Sequence, residues 1–189
     1  MRIEDQEYSS ENFGQSPLEI AQYEHCEFRN CSFVDVDISE LKFAECAFVD
    51  CDFTGARLAD VAFREVSFRR CKLLGLPFED CERFLLSFSF EDCQMDLCSF
   101  RELSLKQTGF LRCSLKEADF SDADLSQSTF SGSDLRNAVF DQTNLEKADF
   151  RGAENLRIDP EKNRIKQARF SLNNLPGLLE KYKIQVDGI

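Results

Sequence analysis

The chain repeats with a period of five residues. Residues 116–150 divide without remainder into KEADF, SDADL, SQSTF, SGSDL, RNAVF, DQTNL and EKADF. Each block ends in Phe or Leu, here called its centre, and has Ala, Ser or Thr two positions earlier. A helix needs an apolar residue near every 3.6 positions and a strand needs one at every second position, so neither explains this period. The period indicates a solenoid in which each block is one short side of a coil.

The repeat also predicts how such coils are held together. Four sides close a coil of about 20 residues, and coils stack at the strand-pairing distance of roughly 4.8 Å. Each side then pairs its backbone with the coils before and after it. The centres fill the axis, and the position two residues before each centre has room only for a small side chain. Centres follow one another every five residues from Leu18 to Phe78 and again from Phe90 onwards. The interval from Phe78 to Phe90 is two residues longer than two blocks.

Blocks such as AECAF, FVDCDF and EKADF resemble those of the pentapeptide-repeat family, whose consensus is A(D/N)LXX. The resemblance covers about Leu18 to Phe150. It implies an all-β solenoid, a right-handed quadrilateral β-helix of about seven 20-residue coils with a C-terminal α-helix as a cap. We expect residues 1–15 to carry no repeat and to form an N-terminal cap, residues 16–157 to form the β-helix, and residues 158–189 to form a C-terminal turn, helix and short strand.

The interruption near residues 81–89 has two interpretations. The segment CERFLLSFSF holds two inserted residues somewhere within 79–90, and it has more apolar side chains than the repeat needs. These extra residues are Phe84, Leu85, Leu86 and Phe88. They predict either a bulge that packs locally or a loop that contacts a partner.

The nine cysteines all occupy the position two residues before the end of a block, although the block of Cys81 ends in Arg83 and not in an apolar centre. They are Cys26, Cys31, Cys46, Cys51, Cys71, Cys81, Cys93, Cys98 and Cys113. We expect each to be a small buried residue with a free thiol. Pairs 20 residues apart, such as Cys26 and Cys46, would stack closely enough to join if oxidised.

The formal net charge is −12 and the sequence pI is about 4.6. Such a charge argues against direct binding to nucleic acid or to an anionic membrane and favours a basic protein partner. The N-terminal MRIEDQEYSS has no apolar signal-peptide segment, and no apolar run reaches the roughly 18 residues of a membrane helix. We therefore expect a cytoplasmic protein.

One face of the predicted coil collects most of the acids. If Phe90 lies two sides after Phe78, this face carries ten acids and only two bases, Arg57 and Arg101. The acids are Glu19, Asp37, Glu40, Asp60, Glu79, Asp80, Glu102, Asp119, Asp122 and Asp141. They predict either a solvated surface or a partner-binding face.

No residue pattern predicts an enzyme. The single His, His25, falls on an outward corner of a coil, so it has no Ser partner for a catalytic triad. No Gly-rich run could hold phosphate groups. We expect no catalytic site, no metal site and no cofactor.

The C-terminal SLNNLPGLLEKYK predicts a helix with Asn173 or Asn174 as its N-cap. A last short strand is predicted at Ile184 and Val186. The apolar residues of this tail form either a cap on the last coil or a homodimer interface, and the two roles are compatible. They are Leu175, Leu178, Leu179, Tyr182, Ile184 and Val186.

The tail from RIDPEK onwards resembles the C-terminal extension of a bacterial subgroup that contains Qnr-type quinolone-resistance proteins and microcin B17 immunity proteins. That resemblance implies a dimer through the helix, and a non-enzymatic DNA mimic that binds DNA gyrase or topoisomerase IV and modulates toxin or quinolone action. Duplex DNA carries about 19 charges over a rod of roughly 32 Å, and residues 20–150 carry a net −11. Qnr-type proteins have projecting loops that drug protection requires, whereas this chain has only the two inserted residues. The alternative function is a general interaction scaffold for another basic partner.

Overall fold

The computed structural model describes residues 1–184, which form a parallel β-solenoid. Its ten strands are Arg2–Glu4 (β1), Glu7–Ser9 (β2), Gln22–Glu24 (β3), Glu27–Arg29 (β4), Lys42–Ala44 (β5), Ala47–Val49 (β6), Ala62–Arg64 (β7), Val66–Arg69 (β8), Phe88–Glu91 (β9) and Gly109–Leu111 (β10). Short 3₁₀ turns occur at Phe78–Asp80, Leu172–Asn174 and Glu180–Tyr182, and the one α-helix of the described chain is Leu175–Leu179 (α1).

The strands lie on two adjacent sides of the coil. One sheet has the order β1-β3-β5-β7 and the other has the order β10-β9-β8-β6-β4-β2. Tyr23 pairs with Phe43 and Phe28 with Phe48, so partners are one 20-residue coil apart. The remaining sides pair through single parallel bridges, for example between Asp119 and Val139. The predicted β-solenoid is confirmed.

The centres form continuous columns along the axis. The longest column has nine aromatic rings, with stacked neighbours 4.7–5.5 Å apart between ring centroids. Its members are Tyr8, Phe28, Phe48, Phe68, Phe90, Phe110, Phe130, Phe150 and Phe170. Burial of each such ring contributes about 1.5–3 kcal/mol, so these columns are the main source of cohesion between coils.

The residue two positions after a centre turns the chain from one side to the next. It adopts left-handed backbone, with φ of 53° at His25, 51° at Asn30 and 57° at Asp35. This conformation costs a residue other than Gly or Asn about 1 kcal/mol. The same geometry recurs in nearly every coil, and it points these side chains outward. His25 is accordingly exposed at a corner, as predicted.

The small residues before the centres also bond the coils together. Ser133 Oγ donates to the Phe110 carbonyl and Thr143 Oγ1 to the Phe120 carbonyl, each at 2.9 Å and each across 23 residues. Cys71 Sγ makes the same link at 3.4 Å. All nine cysteines are buried with free thiols, as predicted, and several of them also act as weak donors between coils.

The prediction that residues 1–15 carry no repeat is wrong. Ile3 pairs with Tyr23 and Tyr8 with Phe28, and Asn12 bridges to Ser32. Residues 1–15 are therefore three sides of the first coil. A capping role for this segment stays a prediction.

The interruption lies at residues 83–86. On one side of it, the Glu82 amide donates to the Val61 carbonyl, as in an uninterrupted coil, and on the other side the Ser87 amide donates to the Phe63 carbonyl. The four residues between these bonds leave the wall as a loop, here called the Arg83–Leu86 loop. Because this side has no inward centre, the Phe88 ring fills the axis instead and packs 5.4 Å from the Phe78 ring.

At the other end, backbone pairing continues beyond the predicted boundary at residue 157. Asp149 bridges to Arg169, and Phe170 stacks on Phe150. Asp159 and Pro160 lead into a turn, closed by the Lys162 amide on the Asp159 carbonyl. The solenoid thus includes a further partial coil before α1.

The helix is shorter than the sequence predicts and is held by Asn174. The Asn174 amide oxygen accepts from the Ser171 amide at 3.0 Å and from the Ser171 hydroxyl at 2.6 Å, and its Nδ2 donates to the Ala153 carbonyl at 2.9 Å. Asn174 precedes α1, but its side chain caps the preceding 3₁₀ turn and ties it to the last coil. Ile184 is not in a strand, and Val186 lies outside the described residues.

Candidate partner-binding face

The ten predicted acids do lie on one side of the rod, here called the acidic face. Its centres are Leu18, Ile38, Leu58, Phe78, Phe100, Phe120 and Phe140. Phe100 stacks on Phe78 at 4.9 Å between ring centroids, and Pro77 bridges to Ser99. Phe90 stacks on Phe68 at 5.4 Å. The inserted residues therefore precede Phe90, and the assumption that placed the acids on one face is confirmed.

Half of these acids form a single line along one edge of the face, here called the acidic corner. Its members occupy equivalent positions in five consecutive coils, and all five are exposed. They are Glu40, Asp60, Asp80, Glu102 and Asp122. Except at Asp80, which ends a 3₁₀ turn, the corner residues have φ of 57–65°. Coils stack at roughly 4.8 Å, so this edge presents about one carboxylate per 4.8 Å.

Few bases neutralise this line. Within residues 1–184, Glu102 is the one member of the acidic corner that forms a salt bridge, to Arg83 at 3.4 Å. The diagonally opposite corner differs, because there Arg70 forms two hydrogen bonds to Asp50 and Arg112 forms two to Asp92, at 2.7–3.0 Å. The same backbone geometry thus carries self-neutralised charge at one corner and mostly unpaired negative charge at the other.

Acids in the middle of the face form salt bridges more often than those of the acidic corner. Arg101 pairs with Asp119 at 3.1 Å, Arg57 with Asp37 at 3.6 Å, and Lys162 with Asp141 at 3.5 Å. These are exposed pairs of small individual worth. Their geometry leaves the acidic corner as the most strongly negative edge of the face.

Three mid-face carboxylates, those of Glu79, Asp119 and Asp141, are partly buried. Partial burial raises the pKa of Asp119, but hydrogen bonds from Ser121 and the Arg101 guanidinium outweigh it and hold that pKa below its usual value. Glu79 Oε1 accepts from the Ser99 hydroxyl at 2.5 Å, and Glu79 Oε2 is buried without a hydrogen-bond partner. Glu19 lies at the exposed N-terminal end of the face.

The Arg83–Leu86 loop emerges beside the acidic corner. Phe84 is 65% exposed and Leu85 is 63% exposed, whereas every Phe centre from Phe28 to Phe150 is buried. The Arg64 guanidinium lies 5.5 Å from the centroid of the Phe84 ring and also pairs with Glu82 at 3.4 Å. Phe88 packs locally, as the first interpretation of the interruption predicts, whereas Phe84 and Leu85 project from the wall. Contact of this loop with a partner stays a prediction.

The predicted dimer residues up to Ile184 lie at the C-terminal end of the rod. Leu178 packs against the core, and Gly177 brings α1 so close to the last coil that its amide carbonyl accepts from the Ile158 amide at 3.2 Å. Leu175, Tyr182 and Ile184 are exposed, and Leu179 is partly exposed. The helix therefore covers part of the last coil and leaves an apolar surface outward.

A shallow groove of about 730 Å³ runs between α1 and the last coil, lined in part by Arg136, Arg157 and Lys183. In the part of the chain that the structure describes, no three His, Cys, Asp or Glu side chains are placed to share a metal ion. Nor is any helix within residues 1–184 long and apolar enough to cross a membrane.

Comparison with known structures supports the fold. A trypsin-treated form of QnrB1, a plasmid-mediated fluoroquinolone resistance protein, superposes with a TM-score of 0.65 at 16% identity, over 98% of this chain and 100% of that chain. HetL, a pentapeptide repeat protein involved in heterocyst differentiation regulation in the cyanobacterium Nostoc sp. strain PCC 7120, gives a TM-score of 0.52 at 18% identity, over 89% of this chain and 87% of that one. No curated protein matches the chain in sequence.

Family models match most of the repeat. The model described as a pentapeptide repeat region matches residues 61–136 and 103–178, and the model of pentapeptide repeats in eight copies matches residues 31–70. These matches cover more than half of the chain and agree with the five-residue period, the four-sided coil and the buried centres. The chain belongs to the pentapeptide-repeat family.

Proposed function

We propose that this protein is a non-enzymatic interaction protein whose acidic face mimics DNA and binds a type II topoisomerase, DNA gyrase or topoisomerase IV, and so modulates toxin or quinolone action. The observation that carries the proposal is the acidic corner, a line of exposed carboxylates at equivalent positions in five consecutive hydrogen-bonded coils. One DNA strand carries about one phosphate per 3.4 Å. The corner presents about one carboxylate per 4.8 Å, roughly 70% of that line density.

The backbone supports this role because it fixes the charges in space. Four of the five corner carboxylates, all except Asp80, project from a residue whose amide is hydrogen-bonded to the next coil. The amides of Glu40, Glu102 and Asp122 donate to the carbonyls of Ala59, Ser121 and Asp141 at 2.9–3.0 Å. A binding site for DNA could therefore meet these charges with little ordering of the rod. Exposed charges of this kind raise association rates and are screened by salt.

QnrB1 supports the topoisomerase proposal through its fold and its role in fluoroquinolone resistance. HetL has the same fold and is involved in heterocyst differentiation regulation. A general scaffold with another basic partner is therefore the second candidate function, since the acidic face fits any basic surface of suitable length.

The decisive experiment compares matched charge reversals. Asp60→Lys/Asp122→Lys removes two members of the acidic corner. Glu65→Lys/Glu117→Lys is the control, because these acids occupy other left-handed corners, with φ of 54° and 57°, and the net charge changes equally. We expect wild type and control to bind gyrase and to alter its supercoiling activity, and the corner variant to bind at least about tenfold more weakly.

Two results would contradict the proposal. Equal weakening by both variants would mean that only net charge matters. If the wild-type protein neither binds gyrase or topoisomerase IV nor changes supercoiling, the topoisomerase proposal is wrong and the scaffold function remains.

We also propose that α1 forms a two-fold homodimer, since Leu175, Tyr182 and Ile184 are exposed beside a helix that already caps the last coil. Light scattering at micromolar concentration should give a dimer, and Leu175→Glu should give a folded monomer. A monomeric wild-type protein would contradict the dimer without affecting the acidic face.

A further inference from the structure

We propose that the Arg83–Leu86 loop is an apolar anchor, whose Phe84 and Leu85 side chains insert into a recess on the basic protein that binds the acidic face. The inference rests on the proposed function for the charge of the partner. It adds a specific contact that charge alone does not supply.

The first argument is the exposure of Phe84 and Leu85, which form the tip of this loop. Phe84 and Leu85 are adjacent, and about two thirds of each side chain is exposed to water. Contiguous exposed apolar patches often mark interaction sites on a monomer surface, and Phe is among the residues enriched at protein interfaces. In a chain whose other aromatic residues almost all fill the axis, this pair stands apart.

The core does not need the tip. Phe88 supplies the ring that fills the axis at this level, and it lies 5.5 Å from the Phe63 ring and 5.4 Å from the Phe90 ring. Regular backbone pairing resumes at once, with Phe68 opposite Phe90. Phe84 and Leu85 can therefore change without opening the core.

The tip is nevertheless held in place. The Arg64 guanidinium packs against the Phe84 ring, and Arg83 is tied to Glu102 at the next coil. The Leu86 amide donates to the Arg83 carbonyl at 3.5 Å, a weak closure of the turn. A side chain fixed before binding loses less conformational entropy in the complex, so the loop is suited to act as an anchor.

The position of the loop identifies the chemistry of its partner. The loop leaves the wall shortly after Asp80, on the side that follows the acidic corner, and Arg83 at its base pairs with Glu102 of that corner at 3.4 Å. The apolar tip therefore lies beside the line of carboxylates. A surface that covers both features must be basic along the line and must have an apolar recess beside it. A basic protein that lacks such a recess would leave Phe84 and Leu85 without a matching contact, so the loop favours a partner with a recess over other basic surfaces.

The first test uses purified gyrase and a matched pair of leucines. Leu85 and Leu97 both occupy left-handed corners, with φ of 58° and 63°, and are 63% and 61% exposed. Leu97 lies at the opposite edge of the acidic face. We expect Phe84→Ser/Leu85→Ser to weaken binding at least about tenfold, Leu85→Ser alone to weaken it measurably, and Leu97→Ser to change it by less than about twofold. If gyrase binds the wild type and the tip variant equally, the anchor is wrong and the topoisomerase proposal stands.

A second test covers the case in which gyrase does not bind. Here p-benzoylphenylalanine replaces Phe84 or, as a control, Leu97, and the protein is irradiated in cells of its native host. The anchor predicts a protein adduct at position 84 that exceeds the adduct at position 97 and is lost in an Asp60→Lys/Asp122→Lys background. An adduct with a protein other than a topoisomerase would retain the anchor and reject the topoisomerase. Absence of an adduct at position 84, or one that persists after charge reversal, would overturn the anchor.

Discussion

The hydrogen bonds between coils lead to a prediction about two buried serines that look equivalent in the sequence. Ser133 Oγ donates to the Phe110 carbonyl at 2.9 Å and accepts from the Cys113 amide at 2.9 Å. Ser128 Oγ donates to the Leu105 carbonyl at 2.8 Å. Both side chains are fully buried. Ser133→Ala therefore removes a donor and an acceptor, whereas Ser128→Ala removes only a donor.

The expected magnitudes follow from this difference. A buried amide left without a partner costs about 1–3 kcal/mol, and a lost bond to a carbonyl costs about 0.5–1.5 kcal/mol. Ser133→Ala should lower the free energy of unfolding by about 2–3 kcal/mol, and Ser128→Ala by about 1 kcal/mol. Alanine itself fits both positions, because it occupies equivalent positions in other coils, such as Ala118 and Ala148.

The assay is urea unfolding of the wild type and both alanine variants, combined with hydrogen exchange. Unfolding of a stacked solenoid need not be two-state, so exchange at the Cys113 amide gives the local measure. That amide should exchange faster in Ser133→Ala and at the wild-type rate in Ser128→Ala. Equal destabilisation of the two variants, or unchanged exchange at Cys113, would refute the assignment.

Three further predictions concern other parts of the chain. Gly177→Ala should detach α1 and expose it to protease, because the new Cβ would lie 1.8 Å from the Leu156 carbonyl oxygen; an intact, protected helix would contradict that contact. Arg101→Met should raise the pKa of Asp119 in an NMR titration, because a charged hydrogen-bond donor is lost. The sign for stability follows, since a carboxylate with a lowered pKa stabilises the fold above about 3.8 and loses this contribution as the pH falls further; the wild type should therefore lose more stability than Arg101→Met on acidification. All nine thiols should resist a thiol reagent in the native state and react after denaturation; fewer than nine after denaturation would reveal a disulfide.

Much of the fold follows from the sequence because one side-chain position dictates the packing. A large apolar centre every fifth residue specifies which side chains fill the axis. Because Phe90 lies in the same column as Phe68, the acids before and after the interruption lie on the same face. The first coil was not predicted because Met1, Gln6 and Glu11 stand at the position two residues before the centre, where almost all other blocks have Ala, Cys, Ser, Thr or a buried aliphatic residue. In the first coil no preceding coil packs against that position, so long side chains are accommodated there and are exposed.

The details of the interruption could not be predicted for a different reason. Phe84, Leu86 and Phe88 are each apolar enough to occupy the axis, and spacing alone does not choose among them. The choice depends on which ring fits against Phe63 and Phe78, and Phe88 does so from a position that normally holds a small residue. The hydrogen bonds of Asn174 to Ser171 and Ala153 are likewise tertiary, since they form only once the tail reaches the last coil.

The Arg83–Leu86 loop also determines where this scaffold can vary in length. Because the chain leaves the wall after Glu82 and returns at Ser87, extra residues there do not alter the angular position of any later coil. Elsewhere, a single inserted residue would turn every following centre outward and would rotate the acids away from one another. The rod can therefore accept new sequence at this side while the acids of later coils keep their place on the acidic face.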